Sequence, residues 1–194
     1  MPKKSPDKHV ISPFHGDHDH SHCETKALAS AIEECDKQGL KLTKVRQQVL
    51  QIIWAQHNPI GAYDVLQKLQ ESGHKPAPPT AYRALEFLVS AKLIHRVESL
   101  NAYIGCPSPN DNHQCQFYIC SECGHVAEVS NTAVSKALDI SAKELGFISQ
   151  QPVIEVHGVC KNCVAWLRSY RVSAFVQITS LNHLIWLSDS RQAS

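Results

Sequence analysis

Several features are missing from this 194-residue sequence, and each absence removes a class of protein. No stretch reaches the ~18 uninterrupted apolar residues of a membrane span. The opening residues, MPKKSPDKHVISPFHGDHDHSH, lack the apolar core of a secretory signal, so the expected compartment is the cytoplasm and no membrane partner is expected. There is no HExxH motif and no deaminase signature, which leaves a zinc hydrolase with an open His/Cys/Glu site only as a remote alternative. No enzymatic activity and no small-molecule substrate are expected. Net charge is also nearly absent, at +1 from 19 Lys+Arg and 18 Asp+Glu. Apolar residues are not scarce: 43% hydrophobic with 19% charged is a globular composition, enough for one domain or two small ones.

What is abundant is metal-ligating chemistry, with 8 Cys and 12 His. In a reducing compartment such a chain reads first as a metal binder and only second as a disulfide scaffold. The small net charge also conceals a division. Residues 37–96 hold nine Lys/Arg against three acids, and the remainder holds ten against fifteen, so a +6 segment is offset by −5 elsewhere. A basic segment of this kind points to a polyanion such as DNA.

Residues 1–24 combine Pro, Gly and Asp with five of the histidines and read as a flexible tail. From Lys26 the pattern turns helical through Leu28, Ala31, Ile32 and Cys35 to a stop at Gly39. Thr43 is placed to cap a second helix that ends at Asn58-Pro59. Tyr63, Val65, Leu66 and Leu69 mark a third, and Pro78-Pro79-Thr80 open a fourth that runs to about Lys92. Extended runs over Leu93–Glu98 and Ala102–Gly105 form a hairpin. Helices followed by a hairpin describe a winged helix-turn-helix over residues 25–105, with the fourth helix as the one that enters a major groove.

In that arrangement Arg83 is the candidate for bidentate readout of guanine, and Tyr63 and Tyr82 for contacts to phosphate, sugar or a thymine methyl. The alternative for both tyrosines is a core ring with only the hydroxyl in water. Thr80 can serve the DNA backbone at the helix start, and Lys41, Lys44, Lys75 and Lys92 can supply phosphate contacts. Beyond Gly105, strands are expected at Gln116–Ile119 and His125–Val129, a helix at Asn131–Leu145 and a strand region at Phe147–Val156. This is a small α/β unit over residues 106–163, which gives the whole chain an α+β class.

The most specific pattern is Cys120-Ser-Glu-Cys123 with Cys160-Lys-Asn-Cys163. Two such pairs place four thiolates around one tetrahedral Zn²⁺, a closed site with no open position and hence a structural one. The 37-residue interval from Cys123 to Cys160 must enclose a strand, a helix and a strand. Of the other cysteines, Cys35 fits a core position and Cys23 lies in the tail, while Cys106 falls where the wing ends. His95, His113 and Glu128 are candidates to join Cys106 in a second, mixed site of net charge zero with Zn²⁺. His125, His157 and Cys115 are its rival ligands.

From about Leu28 to Cys163 the chain resembles the ferric uptake regulator superfamily, and within it the zinc-uptake branch. The stretches that carry this are LTKVRQQVL, GAYDVL, KPAPPTAYRALEFL, HRVES, NAYIGC, FYICSECGHVAEV and IEVHGVCKNC. The resemblance implies a homodimeric, zinc-responsive repressor of zinc-uptake genes that binds palindromic operator DNA. It implies an N-terminal winged-helix domain and a C-terminal dimerisation domain. It further implies two Zn²⁺ per chain, a structural one on Cys120, Cys123, Cys160 and Cys163 and a regulatory one on His95, Cys106, His113 and Glu128. Iron sensors of the superfamily carry a histidine cluster before the first CxxC, where this chain has His113 within NDNHQCQ. A thiolate at Cys106 also suits zinc better than Fe²⁺, so an iron or peroxide sensor is the alternative. Residues 164–194 match nothing in the resemblance. Their apolar residues, among them Trp166, Phe175 and Trp186, should pack on the dimer or expose an adhesive patch.

Overall fold

The computed structural model describes residues 10–14, 20–56, 58–73, 77–109, 114–149 and 152–166. In chain order the elements are β1 (Val10–Ser12), α1 (His20–Lys37), α2 (Lys44–Trp54), β2 (Ile60–Gly61), α3 (Ala62–Glu71), α4 (Pro78–Ser90), β3 (Ile94–Val97), β4 (Ala102–Gly105), β5 (Gln116–Cys120), β6 (Val126–Val129), α5 (Thr132–Glu144) and β7 (Ile154–Gly158). They form two units, each with its own sheet.

The first unit packs α1 to α4 around one core. Val49, Leu50 and Ile53 of α2, Val65 and Leu69 of α3, and Ala81, Ala84, Leu85 and Leu88 of α4 recur at helical spacing and are buried together with Ala31 and Cys35 of α1. Pro78 begins α4 because its missing N–H is one of those a helix start leaves unpaired anyway. A three-stranded sheet in the order β2-β4-β3 closes the unit, with Ile94 opposite Gly105 and Val97 opposite Ala102 in the wing. Asn101, at φ 47°, takes the left-handed turn position of the wing tip. Gly105 ends β4 against Trp54, and a Cβ there would lie 2.5 Å from the indole ring.

The second unit is a four-stranded mixed sheet, β1-β6-β5-β7, with β5 antiparallel to β6 and parallel to β7. The parallel pair needs a crossover, and α5 lies on it, capped by Asn131, whose Oδ1 accepts the Ala133 N–H at 2.9 Å. α5 buries none of its residues, and Ile140, Leu145, Phe147, Ile148, Val153 and Val156 are exposed on and around α5 and the edge strand β7.

The two units touch through the wing. Val97 packs with Phe117, Ile119 and Val126 of the second sheet in one buried cluster. Glu155 of β7 accepts the backbone N–H groups of Glu98 at 2.6 Å and Ser99 at 3.0 Å, which fixes the wing turn to the second sheet. Burial opposes ionisation of Glu155, but the hydrogen bonds from Ser99 and Glu98 outweigh it and hold its carboxyl below the ordinary 4.5.

Four expectations change. The N-terminal 24 residues are not wholly a tail: Val10–Ser12 pairs with β6 as β1, and α1 begins at His20. A partner more than a hundred residues away leaves no local signal for β1, and extending a helix already packed through Leu28 and Ala31 costs little per added residue. Thr43 occupies the N-cap of α2 in extended conformation, but its side chain makes no capping hydrogen bond. The last strand is Ile154–Gly158 rather than Phe147–Val156, so pairing begins only after Pro152, which has no N–H to give a ladder. β2, of two residues, is too short to show a period. Among the described residues no helix is long and apolar enough to cross a membrane. Residues 161–166 are helical, and the remainder of the expected C-terminal tail lies outside the described residues.

Candidate metal centres and nucleic-acid interface

The parallel pairing of β5 with β7 brings the two CxxC segments together, since Cys120 registers with Gly158 and the Ser121 N–H donates to the Gly158 carbonyl at 2.8 Å. After Cys120 the chain reverses in a tight knuckle: the Gly124 N–H donates to the Cys120 carbonyl at 2.9 Å, and Gly124 takes φ 73°, a conformation that favours glycine. The sulfurs of Cys120, Cys123, Cys160 and Cys163 all lie within 4.8 Å of one another, with Cys123 and Cys160 at 3.9 Å. A Zn–S bond near 2.3 Å gives a tetrahedral S···S edge of about 3.8 Å, so the four donors fit one zinc. The geometry favours thiolate at Cys120, whereas burial and neighbouring thiols raise Cys123 and Cys163. Burial opposes ionisation of Cys120, yet backbone N–H groups of Cys160, Cys123 and Glu122 donate to its sulfur and bring it down to about 6. Among the described residues, Cys35, Cys106, Cys115, Cys120, Cys123, Cys160 and Cys163 form no disulfide.

A second donor cluster lies between the two units. His95 comes from β3 of the wing, Glu128 from β6, and Cys115 from the residue preceding β5. Their ligand atoms lie within 4.8 Å of one another: His95 Nε2 is 3.5 Å from Glu128 Oε1, Cys115 Sγ is 3.6 Å from His95 Nε2, and the Cys115 thiol donates to Glu128 Oε1 at 3.0 Å. Glu128 is 1% exposed, which makes it the most deeply placed acidic group of the cluster. The imidazole of His95 is held by the Phe117 ring, with centroids 5.4 Å apart. Burial, and then the Glu128 carboxylate, push the Cys115 thiol far above its ordinary range.

Of the residues anticipated for this second site, His95 and Glu128 are brought together. Cys106 is buried just beyond β4, where its N–H donates to the Leu93 carbonyl at 3.1 Å. Its sulfur is not within the compact trio. Cys106 also lines a cavity of about 280 Å³ shared with Ile11, Trp54 and Leu93. His113 lies outside the described residues. Of the rival ligands, His125 and His157 join neither cluster, and Cys115 does. Strand alternation is the signal that could have singled out Cys115: residues 115, 117 and 119 share one face, and that face is the one Phe117 turns toward His95.

Those of the anticipated DNA-contacting residues that are described belong to the first unit and are exposed. Tyr63, in the first turn of α3, is 79% exposed, and Tyr82, near the start of α4, is 37% exposed, so neither ring belongs to the core. Burial, and then the neighbouring Tyr63 hydroxyl, raise the Tyr82 hydroxyl above its ordinary range. Thr80 and Arg83 are exposed on the same helix, as are Lys41, Lys44 and Lys92 elsewhere on the unit, while Lys75 lies outside the described residues. Arg46 stacks its guanidinium on Phe87, 3.4 Å from the ring centroid.

With this geometry in hand, comparison with known proteins is informative. The profile of the ferric uptake regulator family matches residues 37–157. The zinc uptake regulation protein of Escherichia coli (strain K12) is 38% identical over 138 residues, which cover 71% of this chain and 81% of that protein. Among solved structures, a zinc uptake regulator complexed with zinc and DNA is similar at a TM-score of 0.72 and 36% identity, covering 75% of this chain and 97% of that one. The holo form of XcZur is similar at a TM-score of 0.68 and 38% identity, covering 73% and 99%. Profile, relative and structural neighbours agree with the fold described above, and this chain belongs to the ferric uptake regulator family.

Proposed function

We propose that this chain is a zinc-responsive transcriptional repressor, not an enzyme, that binds palindromic operator DNA as a homodimer in the cytoplasm and controls zinc-uptake genes. The observation that carries the reading is the second donor cluster, because its ligands belong to different units. His95 sits on the wing of the unit that carries Tyr63, Thr80, Tyr82 and Arg83, and Glu128 sits on the second sheet. Zinc, when bound, supplies a doubly positive centre to which buried donors from both units are attracted. The proposed ligands are His95, Cys106, His113 and Glu128, beside the structural set Cys120, Cys123, Cys160 and Cys163, so that each chain takes two Zn²⁺.

Donors split between two units make metal affinity depend on how the units are arranged. Coordination is strongest in the arrangement that brings them together, and by linkage the same arrangement is favoured when metal is present. If that arrangement also sets the two α4 helices of a dimer at half-site spacing, operator affinity follows free zinc. The exposed apolar residues on and around α5 and β7 support the homodimer, since apolar surface left open on one unit suits an interaction face that a symmetric dimer covers isologously. A thiolate in the donor set supports zinc over the harder Fe²⁺. The test is operator binding by fluorescence anisotropy across buffered free zinc. The reading expects tight, specific binding only above a zinc threshold, and zinc-independent binding would end it.

A further inference from the structure

We propose that Cys115 is itself a ligand of the second metal, supplying a thiolate beside His95, Glu128 and Cys106 and taking the place in the tetrahedron that the family resemblance gives to His113. This inference rests on the reading of a second zinc site given above, and adds to it a sulfur that the family resemblance does not include. The spacing carries it. A tetrahedral zinc with Zn–S near 2.3 Å and Zn–N or Zn–O near 2.0 Å sets its ligand atoms about 3.3 to 3.6 Å apart. The observed Cys115 Sγ to His95 Nε2 distance of 3.6 Å and His95 Nε2 to Glu128 Oε1 distance of 3.5 Å are such edges already. The third edge, 3.0 Å, is the thiol's hydrogen bond to Glu128 Oε1. Metal binding replaces that proton, which leaves to solvent, and the edge lengthens by about 0.5 Å to its coordinated value.

Cys115 packs beside the Phe117 and Ile119 cluster, but its sulfur is turned to polar ligand atoms: it is part-buried and faces an imidazole nitrogen at 3.6 Å and a fully buried carboxylate at 3.0 Å. Cys106 is buried just beyond β4 and lies outside the trio. The consequence is a softer site than one thiolate gives. That shifts selectivity further toward zinc and away from Fe²⁺ and Mn²⁺.

The test uses full-length protein that keeps its structural zinc, is freed of the second metal by mild chelation, and is titrated with Co²⁺. Thiolate-to-cobalt charge-transfer absorption in the near ultraviolet then reports sulfur ligands at the second site alone. Cys115→Ser should lower that absorption per bound cobalt by half or more, and weaken zinc in chelator competition by roughly 10-fold or more, since even groups that merely orient ligands are worth about 10 to 100-fold. Cys115→His should recover affinity without recovering the charge-transfer band. Full wild-type charge transfer in Cys115→Ser would overturn the assignment. A measurement on the wild-type chain guards against a variant that fails to fold: alkylation of Cys115, located by mass spectrometry, should be suppressed when the second site holds zinc, and equal rates with and without metal would likewise overturn it. Failure here is separable from failure of the functional reading. A cobalt spectrum that depends on Cys115 in a chain whose operator affinity ignores zinc sinks only the regulation, and the converse result sinks only the ligand.

Discussion

The two donor clusters of this protein are built to different plans. The first gathers four cysteines at one end of a single sheet, where the β5 and β7 pairing holds both knuckles and backbone N–H groups prepare a thiolate at Cys120. The second gathers unlike donors across a boundary, one from the wing and others from the second sheet. Identical ligands in one rigid unit suit permanence, because nothing has to move for the metal to be held. Mixed ligands on two units suit release and response, because their alignment is itself a conformational variable. The difference predicts that the same chemical insult, loss of one cysteine, has opposite consequences at the two places.

The largest effect is expected at the first cluster. Cys163→Ser should remove one zinc per chain and unfold the second unit, since the binding free energy of a structural zinc, about 10 to 16 kcal/mol at neutral pH, is also folding free energy. Zinc content and near-ultraviolet circular dichroism measure this. At the second cluster Cys106→Ser should leave the structural zinc and the folded dimer intact while abolishing zinc-dependent operator binding. An unchanged zinc response in that variant removes Cys106 from the regulatory set and erases the contrast.

Smaller effects sharpen where the second cluster acts. Arg83→Ala should cost about 1 to 3 kcal/mol of operator affinity, with much less loss on random DNA, in anisotropy titrations at fixed salt. Equal loss on both sequences would make Arg83 a phosphate contact. Gly105→Ala tests the joint just before Cys106, where a Cβ would meet the Trp54 ring at 2.5 Å, and should lower thermal stability by about 1 to 3 kcal/mol.

The wing clamp is the mildest prediction. Glu155 is an acid whose folded pKa is depressed, so its contribution is present above the unfolded value near 4.5 and is lost as pH falls through the lower folded value. Glu155→Gln should therefore cost about 1 kcal/mol at pH 7, and the gap between variant and parent should close in strong acid. Denaturant unfolding across pH checks both the size and the sign.

Legibility in the sequence followed the same division. The four-cysteine site could be read from spacing alone, because two CxxC pairs are a local pattern and only the fold between them had to be guessed. α2, α4, β3, β4, β5 and β6 were legible from periodicity and breakers to within a few residues. The second site was less so. His95, Cys115 and Glu128 sit on different elements, and no one-dimensional spacing reports that β3 approaches β5 and β6 from another unit. Cys115 therefore ranked as a rival ligand while Cys106 stood in the set. β1 was illegible for the same reason: its ladder partners, Val129 for Val10 and Glu128 for Ser12, are distant in the chain.

The central claim is that one of two zinc sites governs DNA affinity. It is tested most directly by measuring zinc stoichiometry and operator affinity together, on the same full-length protein, across buffered free zinc. Two zinc ions per chain are expected at saturation, with specific operator binding gained and lost in step with the second. Operator affinity that stays constant while the second zinc is removed would contradict it.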